Sequence, residues 1–277
     1  MTKTILITGA SSGIGKATAG LFAARGWNVA ATMRNTADGA ALQAENVLVS
    51  RLDLNDHSSI REAVDSAHER FGGLDAVVNN AGYGAYGALE ATPMDVIRQQ
   101  FEVNLFGLIA VTQAVLPVMR KQKHGTIVNI SSVGGRMAYP FGALYHGSKW
   151  AVEGLSEALH FEARALGLRV KIVEPGGVRT DFGGRSFVFT NDETLAEYQP
   201  LVRALLAARA AGNNASGQQE PGDVAEIVWT AVTDDSDQLR YISGDGARQL
   251  LATRYSPEQD EAFVASMRMQ VGLQSRS

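Results

Sequence analysis

Cysteine is absent from the 277-residue chain, which excludes disulfides, thiolate nucleophiles and sulfur-ligated metal. Charge is also sparse: charged residues make up 19% against 45% apolar ones, and the formal net charge is −4. That balance suits a sizeable core and is far from the composition of a disordered chain. There is no concentrated basic stretch. The densest cluster, Arg120, Lys121, Lys123 and His124, ends a predicted helix, where cations favour the helix dipole. The electrostatic footprint of a nucleic-acid binder is missing. No apolar run approaches the ~18 residues of a bilayer span. The N-terminus passes through Thr4 into a predicted strand, with no room for a signal peptide. These absences lead us to expect a cytoplasmic protein with no membrane and no nucleic-acid partner.

What is present is alternation. Thr4 to Thr8, Asn28 to Met33, Val47 to Leu52, Ala76 to Asn79, Thr126 to Ile130 and Val170 to Glu174 read as strands buried on both faces of a parallel sheet. Between them Ile60, Ala63, Val64, Ala67 and Phe71 recur at helical spacing behind Asp56, a residue suited to an N-cap. The segment from Pro93 to Met119 opens on Thr92-Pro93, a cap followed by proline, and becomes apolar nearly all round. It is expected to form a buried helix bent near Pro117. From Asp181 to Gly222 the alternation breaks. Gly183-Gly184, Asn213-Asn214 and Ser216-Gly217 frame a patch of Phe187, Val188, Phe189, Leu195, Tyr198, Leu201, Leu205 and Leu206, which reads either as a substrate lid or as a fixed contact. A helix from Asp223, a strand near Arg240 to Ile242 and a closing helix behind Ser256-Pro257 follow. The whole reads as one domain, residues 1–277, with an α/β doubly wound parallel sheet, whose ligands gather beyond the carboxyl ends of the strands.

The chemistry-bearing residues sit at those strand ends. The first strand runs into Thr8-Gly9-Ala10-Ser11-Ser12-Gly13-Ile14-Gly15. Glycines let the backbone turn sharply and approach a pyrophosphate, while free N–H groups at the helix start face the anion. The spacing Gly-x3-Gly-x-Gly differs from the commoner GxGxxG fingerprint. NAD-selective sites place an acid at the end of the second strand. Here that strand ends Ala31-Thr32-Met33-Arg34, and a guanidinium suits the 2′-phosphate of NADP(H). A solvated surface arginine is the alternative. Farther on, Tyr145 and Lys149 stand at i and i+4, so both project from one helix face. A free tyrosine titrates near ~10, roughly three units too high for a base at neutral pH. An ammonium at ~4 Å, with an effective dielectric near ~20, offsets about that gap. The spacing predicts an accessible tyrosinate.

Taken together, Thr8 to Gly15, Asp53-Leu54, Asn79-Asn80-Ala81-Gly82, Asn104, Ser132, Tyr145 with Lys149, and Pro175-Gly176-Gly177-Val178-Arg179-Thr180 stand in an order that resembles the classical short-chain dehydrogenase/reductase family. The resemblance spans roughly Ile5 to Phe182. It implies a Rossmann-type fold and direct hydride transfer between NADP(H) and a carbonyl or alcohol, with no metal. By the same resemblance, Ser132 binds the substrate oxygen, Tyr145 exchanges its proton, Lys149 holds the nicotinamide ribose and lowers the tyrosine pKa, and Asn104 supports a water linking the lysine to solvent. Gly9, Ser11, Ser12, Gly13, Ile14, Gly15 and Arg34 would bind cofactor. So would Asp53 and Leu54 at the adenine, Asn80, Ala81 and Gly82 centrally, and Pro175, Gly176, Val178 and Thr180 at the nicotinamide end. Tyr83-Gly84-Ala85-Tyr86-Gly87, Ser132-Val133-Gly134-Gly135 and Val173-Glu174-Pro175-Gly176 are similar to the branch acting on steroids, retinoids and related carbonyls, and a homodimer or homotetramer is implied. Two rivals stand beside this: a non-catalytic NADP-binding sensor or scaffold, and a sugar-nucleotide epimerase or dehydratase of the extended branch.

Overall fold

Strand β1 (Thr4–Thr8) is buried along its whole length, and its side chains divide between two cores because successive residues of a strand point to opposite faces. Ile5 and Ile7 join Val29, Ala31, Phe22 and Val228 on one side of the sheet. Leu6 joins Ala30, Ile60, Val111 and Val115 on the other. The computed structural model describes residues 2–180, 184, 186–210, 218–255 and 269. Six further strands extend the same pattern: β2 (Asn28–Met33), β3 (Val47–Arg51), β4 (Ala76–Asn79), β6 (Thr126–Ile130), β7 (Arg169–Pro175) and β9 (Arg240–Ser243). All pair in parallel, in the order β3-β2-β1-β4-β6-β7-β9. The chain leaves β1 in both directions, so a crevice opens where the strand order reverses.

Helices α1 (Gly13–Ala24) and α7 (Pro221–Thr233) cover the first face, while α2 (His57–Phe71) and α4 (Leu108–Gln122) cover the second. Asp56 caps α2 as expected, accepting from the Ser58 and Ser59 N–H groups. The segment after Thr92 departs from expectation. Pro93, in extended conformation, is itself the N-cap of α3 (Met94–Phe101), and the Thr92 hydroxyl donates to the Ala88 carbonyl instead. A π-helical stretch, Glu102–Gly107, joins α3 to α4. Run together, Met94–Gln122 is long and apolar enough to cross a bilayer by length and composition, although one third of its most apolar window is buried against the domain. The sequence conceals this length because Asp95, Arg98 and Glu102 interrupt the apolar run.

The 181–222 interruption contains regular structure among its described residues. Strand β8 (Phe187–Thr190) pairs in parallel with β5 (Gly84–Gly87), forming a second sheet of two strands. Helix α6 (Gln199–Ala210) follows. The framing residues Gly183, Asn213, Asn214, Ser216 and Gly217 lie outside the described residues, as does the helix expected behind Ser256-Pro257. The last described helix, α8 (Asp245–Arg254), begins directly after β9. Helix α7 starts at Pro221, two residues before the expected Asp223, which instead accepts the Glu220 N–H from the first turn.

Candidate active site

At the carboxyl ends of β1, β4, β6 and β7 lies a cleft of about 1680 Å³. Pockets for a single drug-sized ligand run to roughly 300–1,000 Å³, so a dinucleotide and a substrate fit together. One end is built by the glycine loop. Gly9 and Gly13 adopt left-handed backbone (φ +68° and +53°), which glycine tolerates at little cost. A side chain on Gly9 would press on Ala81, and one on Gly13 on Thr180, so the loop packs against two other segments of the cleft. Ser12, the N-cap of α1, makes no side-chain cap bond, so its hydroxyl leaves the first-turn N–H groups open to an anion. This is a cradle suited to a pyrophosphate.

Gly9, Ser11, Ser12, Gly13, Ile14, Arg34, Asp53, Leu54, Asn80, Ala81 and Gly82 line the cleft, as do Ser132, Tyr145, Lys149, Pro175, Gly176, Val178 and Thr180. Two expected site residues do not. Gly15 is buried behind the loop, where a Cβ would come 2.3 Å from the Gly9 carbonyl oxygen and 2.5 Å from Asn80 Nδ2; it lets α1 close on β1. Asn104 is buried in the π-helical stretch. Its carboxamide accepts the Tyr83 N–H and donates to the Tyr83 carbonyl and the Ser148 hydroxyl, so it ties the residue that leads into β5 to the helix that carries Tyr145. Arg34 is exposed at the rim and makes no ion pair with the described residues. Asp53 spends one carboxylate oxygen on the Asn55 N–H of its own turn.

The reactive end depends on helix α5 (Ala143–Arg164). Tyr145 and Lys149 are both almost completely buried on its inner face. Lys149 Nζ donates to the Ile130 carbonyl at 2.8 Å and lies 6.0 Å from the centre of the Tyr145 ring. Burial pushes the Tyr145 hydroxyl up, opposed by its bond with Ser132. Burial brings the Lys149 ammonium down to about 8, opposed by Glu153. The i,i+4 spacing places the pair on one face, but desolvation penalises the charged form of both. Tyr145 therefore lies beside a lysine that remains an ammonium at neutral pH.

Sequence reasoning overlooked what surrounds this pair. Tyr86 of β5 stacks on Tyr145 at 5.6 Å between ring centres and meets Phe187 of β8 in a tilted contact at 5.1 Å, so the small sheet is an aromatic wall. Behind α5, fully buried Glu174 is held by Arg136 and Arg240, and Arg240 also holds Glu153. Burial, together with the charge of Glu153, pushes the Glu174 carboxyl up against the pull of both arginines. Single glutamates and arginines spread between Arg136 and Arg240 carry no spacing signal.

The chain has recognisable relatives among known proteins. The family model described as short chain dehydrogenase matches residues 3–188. An uncharacterized oxidoreductase of Schizosaccharomyces pombe is 40% identical over 234 residues, covering 83% of this chain and 94% of its own length. Retinol dehydrogenase 8 of Bos taurus is 32% identical over 274 residues, covering 92% and 83%. A short-chain dehydrogenase structure from Streptomyces avermitilis superposes with a TM-score of 0.80 at 32% identity, covering 98% of each chain. Two further structures divide by cofactor. An alcohol dehydrogenase of Thermococcus sibiricus complexed with 5-hydroxy-NADP has TM-score 0.71 and 27% identity, covering 88% of this chain and 97% of that one. A Burkholderia phymatum enzyme in complex with NAD has TM-score 0.78 and 26% identity, covering 92% and 93%.

Proposed function

Because the chain belongs to the short chain dehydrogenase family of oxidoreductases, we propose that it is an NADP(H)-dependent reductase or dehydrogenase acting on a carbonyl or secondary alcohol of lipophilic character. The observation that carries this reading is the convergence of Ser132, Tyr145 and Lys149 on the cleft that also holds the glycine loop. When bound, the nicotinamide cofactor supplies or accepts the hydride. Ser132 and the Tyr145 hydroxyl hold the substrate oxygen, and Tyr145 moves the proton at its Oη. Lys149 orients the ribose side of the cofactor and keeps a positive charge beside Tyr145, stabilising negative charge that develops there. The wall of Tyr86, Phe187 and Phe189 suits an apolar substrate, in keeping with the similarity to a retinol dehydrogenase. NADPH oxidation over a panel of ketones and aldehydes, with products identified, tests the reading. Turnover on none of them would favour the cofactor-binding sensor, and epimerised sugar nucleotide without net NADPH consumption would favour the epimerase.

Preference for NADP(H) rests on Arg34. A charge-assisted bond to a phosphate contributes roughly 1.5–3 kcal/mol. Arg34→Ala is therefore expected to weaken NADPH binding about tenfold to a hundredfold and to leave NADH binding nearly unchanged. Titration of both cofactors by fluorescence checks this, and an equal loss for both would remove Arg34 from the phosphate site.

We assign the 181–222 segment to the substrate end of the cleft as a covering element. Within it β8, laddered to β5, acts as a fixed wall, and α6, whose Leu205 and Leu206 face the cleft, acts as the closing part. Ordering α6 costs conformational entropy, and burying apolar area at ~25 cal/mol per Å² offsets that cost only when a ligand fills the pocket. Hydrogen exchange should find β8 protected throughout and α6 protected only with NADPH plus a bulky ketone. Strong protection of α6 in every state would make it a fixed contact. A homodimer or homotetramer completes the proposal, supported by Phe106, Trp150 and Phe161, large apolar side chains that stand exposed.

A further inference from the structure

His146 is buried beside Tyr145, and the proton chemistry proposed above makes no use of it. Both ring nitrogens are engaged, with opposite polarity. The Tyr139 N–H donates to Nε2 at 3.0 Å, so Nε2 carries no proton. Nδ1 lies 2.9 Å from the Gly134 carbonyl oxygen, which can only accept, so Nδ1 carries the proton. One tautomer satisfies both contacts, the neutral Nδ1–H form. The loop is shaped around the ring: a Cβ on Gly134 would come 2.6 Å from Nδ1, and one on Gly142 2.6 Å from Nε2. Neither glycine has a left-handed backbone, so the space they leave is the reason glycine suits these positions. The bonds continue toward the reacting atoms. The Gly134 N–H donates to Ser132 Oγ at 3.0 Å, and Ser132 in turn bonds Tyr145.

We infer that His146 is a positioning residue: through Gly134 it fixes the orientation of the Ser132 hydroxyl, and through Tyr139 it fixes the loop that walls the substrate side of the cleft. This rests on the reading of Ser132 and Tyr145 as the groups that bind and protonate the substrate oxygen. The ring faces Tyr86 from β5, Tyr139 from the loop and Tyr145 from its own helix, and all three are uncharged at neutral and mildly acidic pH. Lys149, three residues on, is directed at Ile130. Burial draws His146 below the ordinary histidine range, the Gly134 bond opposing, and an added proton on Nε2 would meet the Tyr139 N–H donor head-on.

Two measurements test this. In ¹⁵N-histidine-labelled protein, His146 should show a protonated Nδ1 and an unprotonated Nε2 from about pH 8 to about pH 6, the range in which a free histidine titrates. An Nε2–H form, or an imidazolium by about pH 6, overturns the inference whatever the activity. Second, His146→Asn places an N–H donor near the Nδ1 position, His146→Gln places an acceptor near Nε2, and His146→Leu supplies neither. A displacement of about 1 Å from a residue outside the chemistry can cost about a hundredfold in rate. His146→Leu should therefore lose about a hundredfold in kcat. His146→Asn should keep kcat within about tenfold of the parent with a raised KM, and His146→Gln should lose kcat as the leucine does, with KM nearer the parent's. NADPH affinity should not move. If the leucine variant fails to fold, the contrast between asparagine and glutamine decides, and equal kcat in those two overturns the inference. Tyr145→Phe separates the premises: its inactivity alongside full activity of all three His146 variants sinks the positioning role alone, whereas retained turnover in Tyr145→Phe sinks the catalytic reading on which that role depends.

Discussion

Tyr145→Phe is expected to reduce kcat by at least about a thousandfold while NADPH binding changes by less than about threefold. A positioned proton donor contributes typically about 10²–10⁴ in rate, and a thousandfold loss corresponds to about 4 kcal/mol of transition-state stabilisation. The substitution removes one oxygen and leaves the ring, which is buried and stacked on Tyr86, so the surface presented to the cofactor persists. Ser132 loses its bond to the phenol but still accepts the Gly134 N–H, leaving no stranded acceptor and limiting the stability cost to about 1 kcal/mol. Steady-state kinetics and fluorescence titration of NADPH check the two halves. Turnover within tenfold of the parent would take Tyr145 out of the proton-transfer role.

The second large effect is expected where no side chain exists. In Gly15→Ala the new Cβ would meet the Gly9 carbonyl oxygen at 2.3 Å and Asn80 Nδ2 at 2.5 Å. The first of these is backbone of the glycine loop itself and cannot rotate aside. Asn80 is also committed, donating to the Thr8 and Gly9 carbonyls. The loop must therefore shift bodily, and with it the cradle at Gly9 and Gly13. We expect NADPH affinity to fall about a hundredfold, or about 2.8 kcal/mol, and stability to fall by about 1–3 kcal/mol from overpacking. Gly20 lies in the same helix with nothing within 4 Å of its added Cβ. Gly20→Ala should bind NADPH as the parent does and gain up to about 1 kcal/mol from reduced backbone freedom in the unfolded chain. Cofactor titration and urea unfolding of the two variants form the test. Parental affinity in Gly15→Ala would mean that α1 can move back without disturbing the loop.

The amino-acid order by itself determined the features governed by short spacing. The strands of the main sheet were legible because burial on both faces demands near-continuous apolar runs, and α2 because Asp56 and an apolar period mark its start and inner face. The glycine loop and the pairing of Tyr145 with Lys149 were legible for the same reason: a tight turn and an i,i+4 step are local geometry. Tertiary structure decided whatever depends on which distant segments meet. The β5·β8 sheet joins residues about 100 positions apart, and neither four-residue run has a period long enough to announce itself. Asn104 and Gly15 belong to the motifs, yet they act from behind the cleft, because only the packed positions of Tyr83, Ser148 and Gly9 determine where they face. The electrostatic surroundings of Tyr145 and Lys149 lay beyond the spacing argument, since a Coulomb estimate from helix geometry omits the desolvation that the surrounding sheet, loop and aromatic wall impose. The role of His146 was likewise set by two backbone groups of a loop that folds back over it. Sequence spacing fixes directions along one element, whereas dielectric environment and hydrogen-bond partners are properties of the assembled fold.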